Sequence, residues 1–65
     1  MKLRLEKLRT DAHLTQQQLA EMCGVKQSVI SDIENGKVKY PRMDTLVALS
    51  HAFGIKIDEM ISYKD

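Results

Sequence analysis

Apolar residues recur along this chain three or four positions apart, with charged or polar residues between them. This spacing is typical of amphipathic helices, which bury one face and expose the other. No stretch alternates at period two for long enough to predict a strand, and no segment repeats. The pattern therefore predicts an all-α fold, in which residues 1–65 form a single domain of five short helices.

Residues that start or stop helices divide this pattern into elements. Thr15 is a good N-cap for the second helix. Gly24 and Gly54 can end the second and fourth helices, because glycine adopts the left-handed backbone without steric cost. The predicted elements are helices over residues 2–12 (Leu5, Leu8 and Ala12 inside), 16–23 and about 26–35, a fourth helix with Leu46, Leu49, Ala52 and Phe53 inside, a short fifth with Met60 and Ile61 inside, and a frayed tail at 62–65.

The third predicted helix has one packed face and one polar face. At about 100° per residue, Val29, Ile30 and Ile33 fall together on the packed side. The polar side carries Gln27, Ser28, Ser31, Asp32 and Asn35. Glutamine amides donate and accept together, as a bidentate contact to an adenine edge requires. A plain solvated helix would typically carry Glu and Lys pairs at i, i+4, which this face lacks, yet on geometry alone both readings stay open.

The residues around this helix favour DNA readout. Two short helices joined by a turn that contains glycine form a helix-turn-helix, whose second helix enters the major groove. Ala20 allows the two helices to cross closely, and Gly24 turns the chain four residues later. Ile30 and Ile33 then pack the second helix onto the first. This combination predicts a helix-turn-helix over about residues 16–35.

Composition and charge narrow the function further. Cys23 is the only cysteine, which excludes a disulfide within the chain and a four-ligand Cys/His zinc site, so neither metal nor cofactor is expected. Charges interrupt the N-terminal leucines, so we expect a cytoplasmic protein without a signal peptide or a membrane span. Residues 1–42 carry eight Lys and Arg against five Asp and Glu, whereas residues 43–65 carry two against four. One side is therefore expected to face an anion, although ordinary solvated charge would also fit.

Two segments resemble the helix-turn-helix family of lambdoid phage repressors and Xre-type regulators. They are LTQQQLAEMCGVKQSVISDIENGK, Leu14–Lys37, and MDTLVALSHAFGIKIDEMI, Met43–Ile61. The resemblance implies a compact five-helix domain that binds double-stranded operator DNA, commonly as a homodimer, and usually represses transcription.

The resemblance also implies which residues contact DNA. The positions expected to face base edges are Gln27, Ser28, Ser31 and Asp32. Those expected to lie along the phosphates are Gln16, Lys26, Asn35, Lys37, Lys39 and Arg42. A helix N-terminus and a basic loop are also natural phosphate sites on grounds of charge. In some members the residues matching Arg9 and Glu34 form an ion pair between helices one and three, and we expect a structural pair here.

Asp32 departs from the family, which often carries a basic or amide residue at this site. A carboxylate near phosphates lowers affinity for DNA. Three explanations stay open: Asp32 accepts a hydrogen bond from cytosine N4, it repels acceptor-rich base edges, or it pairs with a nearby Lys.

Other residues are expected to be structural. His13 occupies a left-handed helix end where the family usually has glycine. Cys23 is expected in the core of helix two as a small hydrophobe. Met22, Met43 and Met60 are expected to fill the core.

Two further expectations concern partners. A short recognition helix reads few base pairs, so a dimer is expected, with its interface around Tyr40, Ile55 and Ile57.

The alternative function is a protein-interaction module or antitoxin-like protein, which would expose apolar surface at the segment IKIDEMISY. An enzyme is not expected, because no Ser/His/Asp set, carboxylate pair, metal cluster or phosphate-cradling glycine loop can be assembled from the sequence.

Overall fold

The structure, a computed structural model, describes residues 2–62. Five helices make up most of this range, as the apolar spacing predicted, and within it no helix is long and apolar enough to cross a membrane. The elements in chain order are β1 (Lys2–Leu3), α1 (Leu5–Asp11), α2 (Gln16–Cys23), α3 (Gln27–Glu34), α4 (Met43–Phe53), α5 (Ile57–Met60) and β2 (Ile61–Ser62).

Every helix contributes to one hydrophobic core. The buried apolar side chains are Leu5, Leu19, Ala20, Ile30, Ile33, Leu46, Leu49 and Met60. Ala20 is 2% exposed and lies where α2 packs against α3. A larger side chain there would push the two helices apart, because interiors packed at crystal-like density leave no room for extra atoms. The core therefore sets the position of α3 and leaves its opposite face outward.

Local signals define both ends of α2. The Thr15 side chain accepts from the backbone N–H of Gln18 at 3.0 Å, and the Gln18 side chain accepts from the backbone N–H of Thr15 at 2.8 Å. This reciprocal capping box satisfies two donors that a helix start otherwise leaves unpaired. Gly24 ends α2 in the left-handed conformation, with φ 69°. The start of α2, and with it Gln16, is therefore held firmly.

A small antiparallel sheet joins the two ends of the described chain, and the sequence pattern did not predict it. Lys2 pairs with Ser62 and Leu3 pairs with Ile61. The backbone N–H of Arg4 donates to the Met60 carbonyl at 2.8 Å. Strands of two residues are too short to show period two, and they form only because the fold brings distant segments together.

This sheet corrects several predicted boundaries. The first helix begins at Leu5 instead of residue 2, and Ile61 lies in β2 instead of α5. Of the frayed tail predicted at 62–65, Ser62 belongs to β2, and residues 63–65 lie outside the described range.

Three residues expected inside are exposed. Ala12 caps the C-terminal end of α1 and is exposed, while Met22 and Met43 are 55% and 65% exposed. Met60 is buried as predicted. Cys23 is half-buried and packs against the core, where burial raises the pKa of its thiol. Helical spacing identifies a core face well, but it does not say how far neighbouring elements extend over its flanks.

His13 has a φ of 60°, so the expected left-handed helix end is present. For a residue with a Cβ this conformation costs about 1–2 kcal/mol. His13→Gly should therefore raise the free energy of unfolding by about 0.5–1 kcal/mol, because relief of this strain outweighs the greater freedom of glycine in the unfolded chain. Thermal unfolding measured by circular dichroism should show a midpoint a few degrees higher, on the order of 4–8 °C per kcal/mol for a domain of this size.

The control for this prediction is His51, which is exposed on α4 with ordinary helical backbone. His51→Gly should lower the free energy of unfolding by about 1 kcal/mol. If both substitutions lower the midpoint, the backbone at residue 13 is not strained.

Candidate nucleic-acid interface

The polar face of α3 points away from the core. Gln27 and Ser28 are exposed, and Ser31 and Asp32 are half-buried. The core residue Ile30, which is 0% exposed, lies on the opposite side of the same helix. The structure thus brings the four residues expected to read bases onto one side of one helix. That they contact DNA stays a prediction.

The first turns of α2 and α3 meet at this face. The Gln27 side-chain amide donates from Nε2 to Oε1 of Gln16 at 3.4 Å. Both residues open their helices, where backbone N–H groups lack intrahelical partners and the helix dipole is positive. Lys26, the N-cap residue of α3, adds an exposed positive charge. This corner of the molecule is therefore suited to an anion such as a phosphate group.

A buried ion pair lies behind the corner and joins α1 to α3. Arg9 donates from Nε to Oε2 of Glu34 at 2.7 Å and from Nη2 to Oε1 at 3.1 Å. Its Nη1 donates to the Leu14 carbonyl at 2.7 Å. Gln16 Nε2 donates to Glu34 Oε1 at 3.0 Å. The Arg9 and Glu34 side chains are only 13% and 3% exposed, so this bidentate pair is shielded from water.

Both members of the pair are charged at neutral pH. Burial by itself raises the pKa of the Glu34 carboxyl, but the hydrogen bonds from Arg9 and Gln16 outweigh it and hold that pKa below its ordinary value. The hydrogen bond to Glu34 raises the pKa of Arg9. Glu34 therefore accepts hydrogen bonds as an ionised carboxylate and has no proton to donate.

The basic residues predicted to lie along DNA flank this helix. Lys37, Lys39 and Arg42 are exposed in the segment between α3 and α4. Arg42 also makes an exposed ion pair with Asp44 at 3.2 Å, and Lys39 lies 5.6 Å from the centre of the Tyr40 ring. Both contacts are at the surface and contribute little energy, so these side chains remain available to an external anion.

Asn35 belongs partly to α3 itself. It is the C-cap residue, and its side-chain amide donates to Oγ of Ser31 at 3.2 Å. A residue expected to face phosphate and one expected to face bases are therefore hydrogen-bonded to each other in the free protein.

Asp32 lies at the edge of a half-open groove between α3 and the start of α4. The groove has a volume of about 430 Å³, and its apolar lining includes Val29, Ile33 and Val38. Lys26 and Arg42 line it as well, yet the Asp32 carboxylate forms no ion pair or hydrogen bond with any residue in the range 2–62. The structure therefore contains no Lys pair for Asp32 in the described range, and this explanation is wrong. Hydrogen bonding to cytosine and exclusion of other bases remain.

The large apolar side chains that are exposed in the described range lie outside the segment IKIDEMISY, and one of them, Tyr40, belongs to the predicted dimer interface. The exposed fractions are 69% for Tyr40, 65% for Met43 and 38% for Val47. In the segment expected to be the exposed apolar end, Ile55 and Ile57 are half-buried and pack against the core. Sequence reasoning missed Met43, although its spacing of four residues from Val47 could have marked a second apolar stripe on α4.

Comparisons with known proteins give matches that cover most of the chain. A family model described as Helix-turn-helix matches residues 5–60. The HTH-type transcriptional activator BcrR of Enterococcus faecalis is 46% identical over 59 residues, which cover 91% of this chain and 28% of BcrR. The uncharacterized HTH-type transcriptional regulator MJ0272 of Methanocaldococcus jannaschii is 35% identical over 65 residues, which cover 100% of this chain and 97% of that protein.

The fold also matches a solved structure. The N-terminal DNA binding domain of SinR from Bacillus subtilis superposes with a TM-score of 0.85 at 24% identity, covering 94% of this chain and 88% of that one. SinR in complex with DNA gives a TM-score of 0.84. At this level of identity the likeness establishes that the folds are the same.

Proposed function

The chain belongs to the helix-turn-helix family, and we propose that it is a sequence-specific DNA-binding transcriptional regulator that places α3 in the major groove. The observation that carries this proposal is the outward face of α3. Gln27 and Ser28 are exposed on this face, while buried Ile30 anchors the same helix in the core. Short hydrogen-bonding side chains on a rigid helix suit the recognition of base edges.

The two sets of side chains have different tasks in this proposal. Contacts to phosphate set the register of the protein on the duplex, and contacts to base edges make binding selective. The residues proposed to contact bases are Gln27, Ser28, Ser31 and Asp32, and those proposed to contact phosphates are Gln16, Lys26, Asn35, Lys37, Lys39 and Arg42.

We propose repression as the direction of regulation, because a protein that occupies a DNA site excludes others from it. The activator BcrR does not contradict this, since the match covers 28% of its length and the direction of its regulation need not lie in the shared domain.

A DNA-binding role would place the protein in the cytoplasm of a cell without a nucleus. We propose no enzymatic activity, because the family model that matches residues 5–60 describes a helix-turn-helix domain.

The antitoxin-like alternative has less support. It required an exposed apolar surface at the IKIDEMISY segment, and in the structure Met60 is 1% exposed while Ile55 and Ile57 pack against the core. Salt dependence separates the two functions, because binding through phosphates weakens steeply as salt rises whereas apolar association does not.

The first prediction concerns phosphate contacts. Binding to duplex DNA selected from a random pool should weaken as salt rises, with log affinity linear in log salt concentration. Lys37→Ala should weaken binding to all sequences alike and reduce the slope by about one, because one phosphate contact is lost. Fluorescence anisotropy at several salt concentrations measures both. Lys7→Ala is the control, since Lys7 is exposed on α1 and pairs with Asp11 at 3.4 Å, and it should leave the slope unchanged. Equal slopes for the two variants would contradict a phosphate contact at Lys37.

The second prediction concerns Asp32. Asp32→Ala should broaden the set of bound sequences at one position of each half-site, because an unpaired carboxylate is lost from the base-reading face. Sequencing of DNA selected by each variant at fixed salt gives the base preferences. Asp11→Ala removes the same charge on α1 and should leave the preferences unchanged. If Asp32→Ala only raises affinity and the preference profile stays the same, Asp32 does not read bases.

The third prediction concerns dimerisation. One recognition helix covers too few base pairs for useful selectivity, so we propose a two-fold dimer on DNA. Its proposed interface includes Tyr40, Ile55 and Ile57, and we add Met43, which is 65% exposed and follows Tyr40 by three residues. Met43→Glu should weaken dimerisation, and with it binding to a full site, by about tenfold or more, because it buries a charge in an apolar contact.

Analytical ultracentrifugation of the free protein and of its complex with DNA tests this. Met22→Glu is the matched control, since Met22 on α2 is 55% exposed and lies outside the proposed interface. A wild-type protein that sediments as a monomer, both free and on DNA long enough for two half-sites, would refute the dimer.

A further inference from the structure

A chain of hydrogen bonds runs from the buried carboxylate of Glu34 to the exposed amide of Gln27. Arg9 holds Glu34 from one side through two hydrogen bonds. Gln16 Nε2 donates to Glu34 Oε1 at 3.0 Å, and Gln27 Nε2 donates to Gln16 Oε1 at 3.4 Å. We call these three linked residues, Glu34, Gln16 and Gln27, the carboxylate relay.

The chemistry of the first member decides the direction of every later bond. An ionised carboxylate only accepts hydrogen bonds, so Gln16 must turn its NH2 group toward Glu34. The carbonyl oxygen of Gln16 then faces the other way, toward Gln27. Because that oxygen can only accept, Gln27 must turn its own NH2 group toward Gln16. The charge of Glu34 thus orients the exposed amide of Gln27 through Gln16, although the two residues are two hydrogen bonds apart.

This orientation determines what Gln27 has left for DNA. One N–H of its amide is used by Gln16, so one N–H donor and the carbonyl acceptor remain side by side. Adenine presents a matching pair in the major groove, the acceptor N7 and the donor N6, whereas guanine presents two acceptors, N7 and O6. In the opposite orientation Gln27 would offer both N–H groups outward, which would suit guanine.

We propose that Glu34 is a positioning residue that makes Gln27 prefer adenine over guanine by setting the direction of the carboxylate relay. The proposal rests on the proposed DNA-binding function and deepens it. The second N–H of Gln16 remains for a phosphate oxygen, so the same orientation also suits the phosphate contact proposed for Gln16. The bond between Gln27 and Gln16 is the longer of the two links in the relay and is the one that the experiment probes.

The first arm of the experiment uses the protein without DNA. Side-chain NH2 signals of ¹⁵N-labelled protein are recorded by NMR at neutral pH and assigned with Gln16→Met and Gln27→Ala. Glu34→Gln should shift the NH2 signals of Gln27, although these two residues are not hydrogen-bonded to each other. Adding Gln16→Met should abolish this response, because the middle link is lost.

The control residue for this arm, Gln17, follows Gln16 on α2. Gln17 is exposed on α2 and no residue in the described range bonds its side chain, so Gln17→Met should leave the response of Gln27 intact. If Glu34→Gln fails to fold, Gln16→Met alone keeps the Arg9–Glu34 pair and should still shift the Gln27 signals. Unchanged Gln27 signals in Gln16→Met would overturn the relay.

The second arm measures base preference. The position read by Gln27 is found as the one whose preference disappears in Gln27→Ala. There, Glu34→Gln and Gln16→Met should each lower the adenine-to-guanine ratio by about fivefold or more, because a bidentate contact carries discrimination of that size. In the Gln27→Ala background the same substitutions should not change the ratio. Gln16→Met is also expected to lower affinity for all sequences, so only the ratio is diagnostic.

The outcomes separate the two proposals. A loss of affinity that is uniform across sequences, with the ratio unchanged, would mean that Glu34 has a structural role only and would overturn the inference. If the wild-type protein selects no DNA sequence at all, the proposed function fails and the preference for adenine fails with it, while the NMR arm still decides whether Glu34 orients Gln27.

Discussion

The buried ion pair between Arg9 and Glu34 is the constraint on which the arrangement of the interface depends. It joins α1 to α3, and through the Leu14 carbonyl and Gln16 it also holds the loop and first turn of α2. A charge this well shielded is costly unless it is paired, so neither partner can leave without a penalty. The hydrophobic core buries one face of α3, and the bidentate ion pair adds a directional contact to that packing.

The core and the interface divide α3 between them. Ile30 and Ile33 are buried on one face, whereas on the other face Gln27 and Ser28 are exposed and Ser31 and Asp32 are half-buried. The exposed residues of that other face can therefore change without loss of the fold. Asp32 illustrates this freedom, since its carboxylate has no ion pair or hydrogen bond within residues 2–62. Because the Asp32 carboxylate has no such partner, its negative charge attracts or repels any ligand that binds at this face of α3.

Prediction from the sequence succeeded where the signals are local. The ends of α2 follow from Thr15 and Gly24, and both the capping box and the left-handed turn are present. It failed where burial depends on distant elements. Met22 and Met43 were expected inside and are exposed, because nothing in the described chain covers those flanks of α2 and α4. The start of α1 was placed too early, because residues 2–3 pair with a strand near the other end of the chain.

The sequence by itself determined the number of helices and their approximate extent, the turn between α2 and α3, and the list of side chains on the polar face, since all of these follow from spacing and capping within a few residues. Only the tertiary structure decided how those side chains are connected. The hydrogen bonds from Glu34 through Gln16 to Gln27 join residues 18 and 11 positions apart. No periodicity encodes such contacts, because they exist only after the core has packed α1, α2 and α3 around the same buried carboxylate.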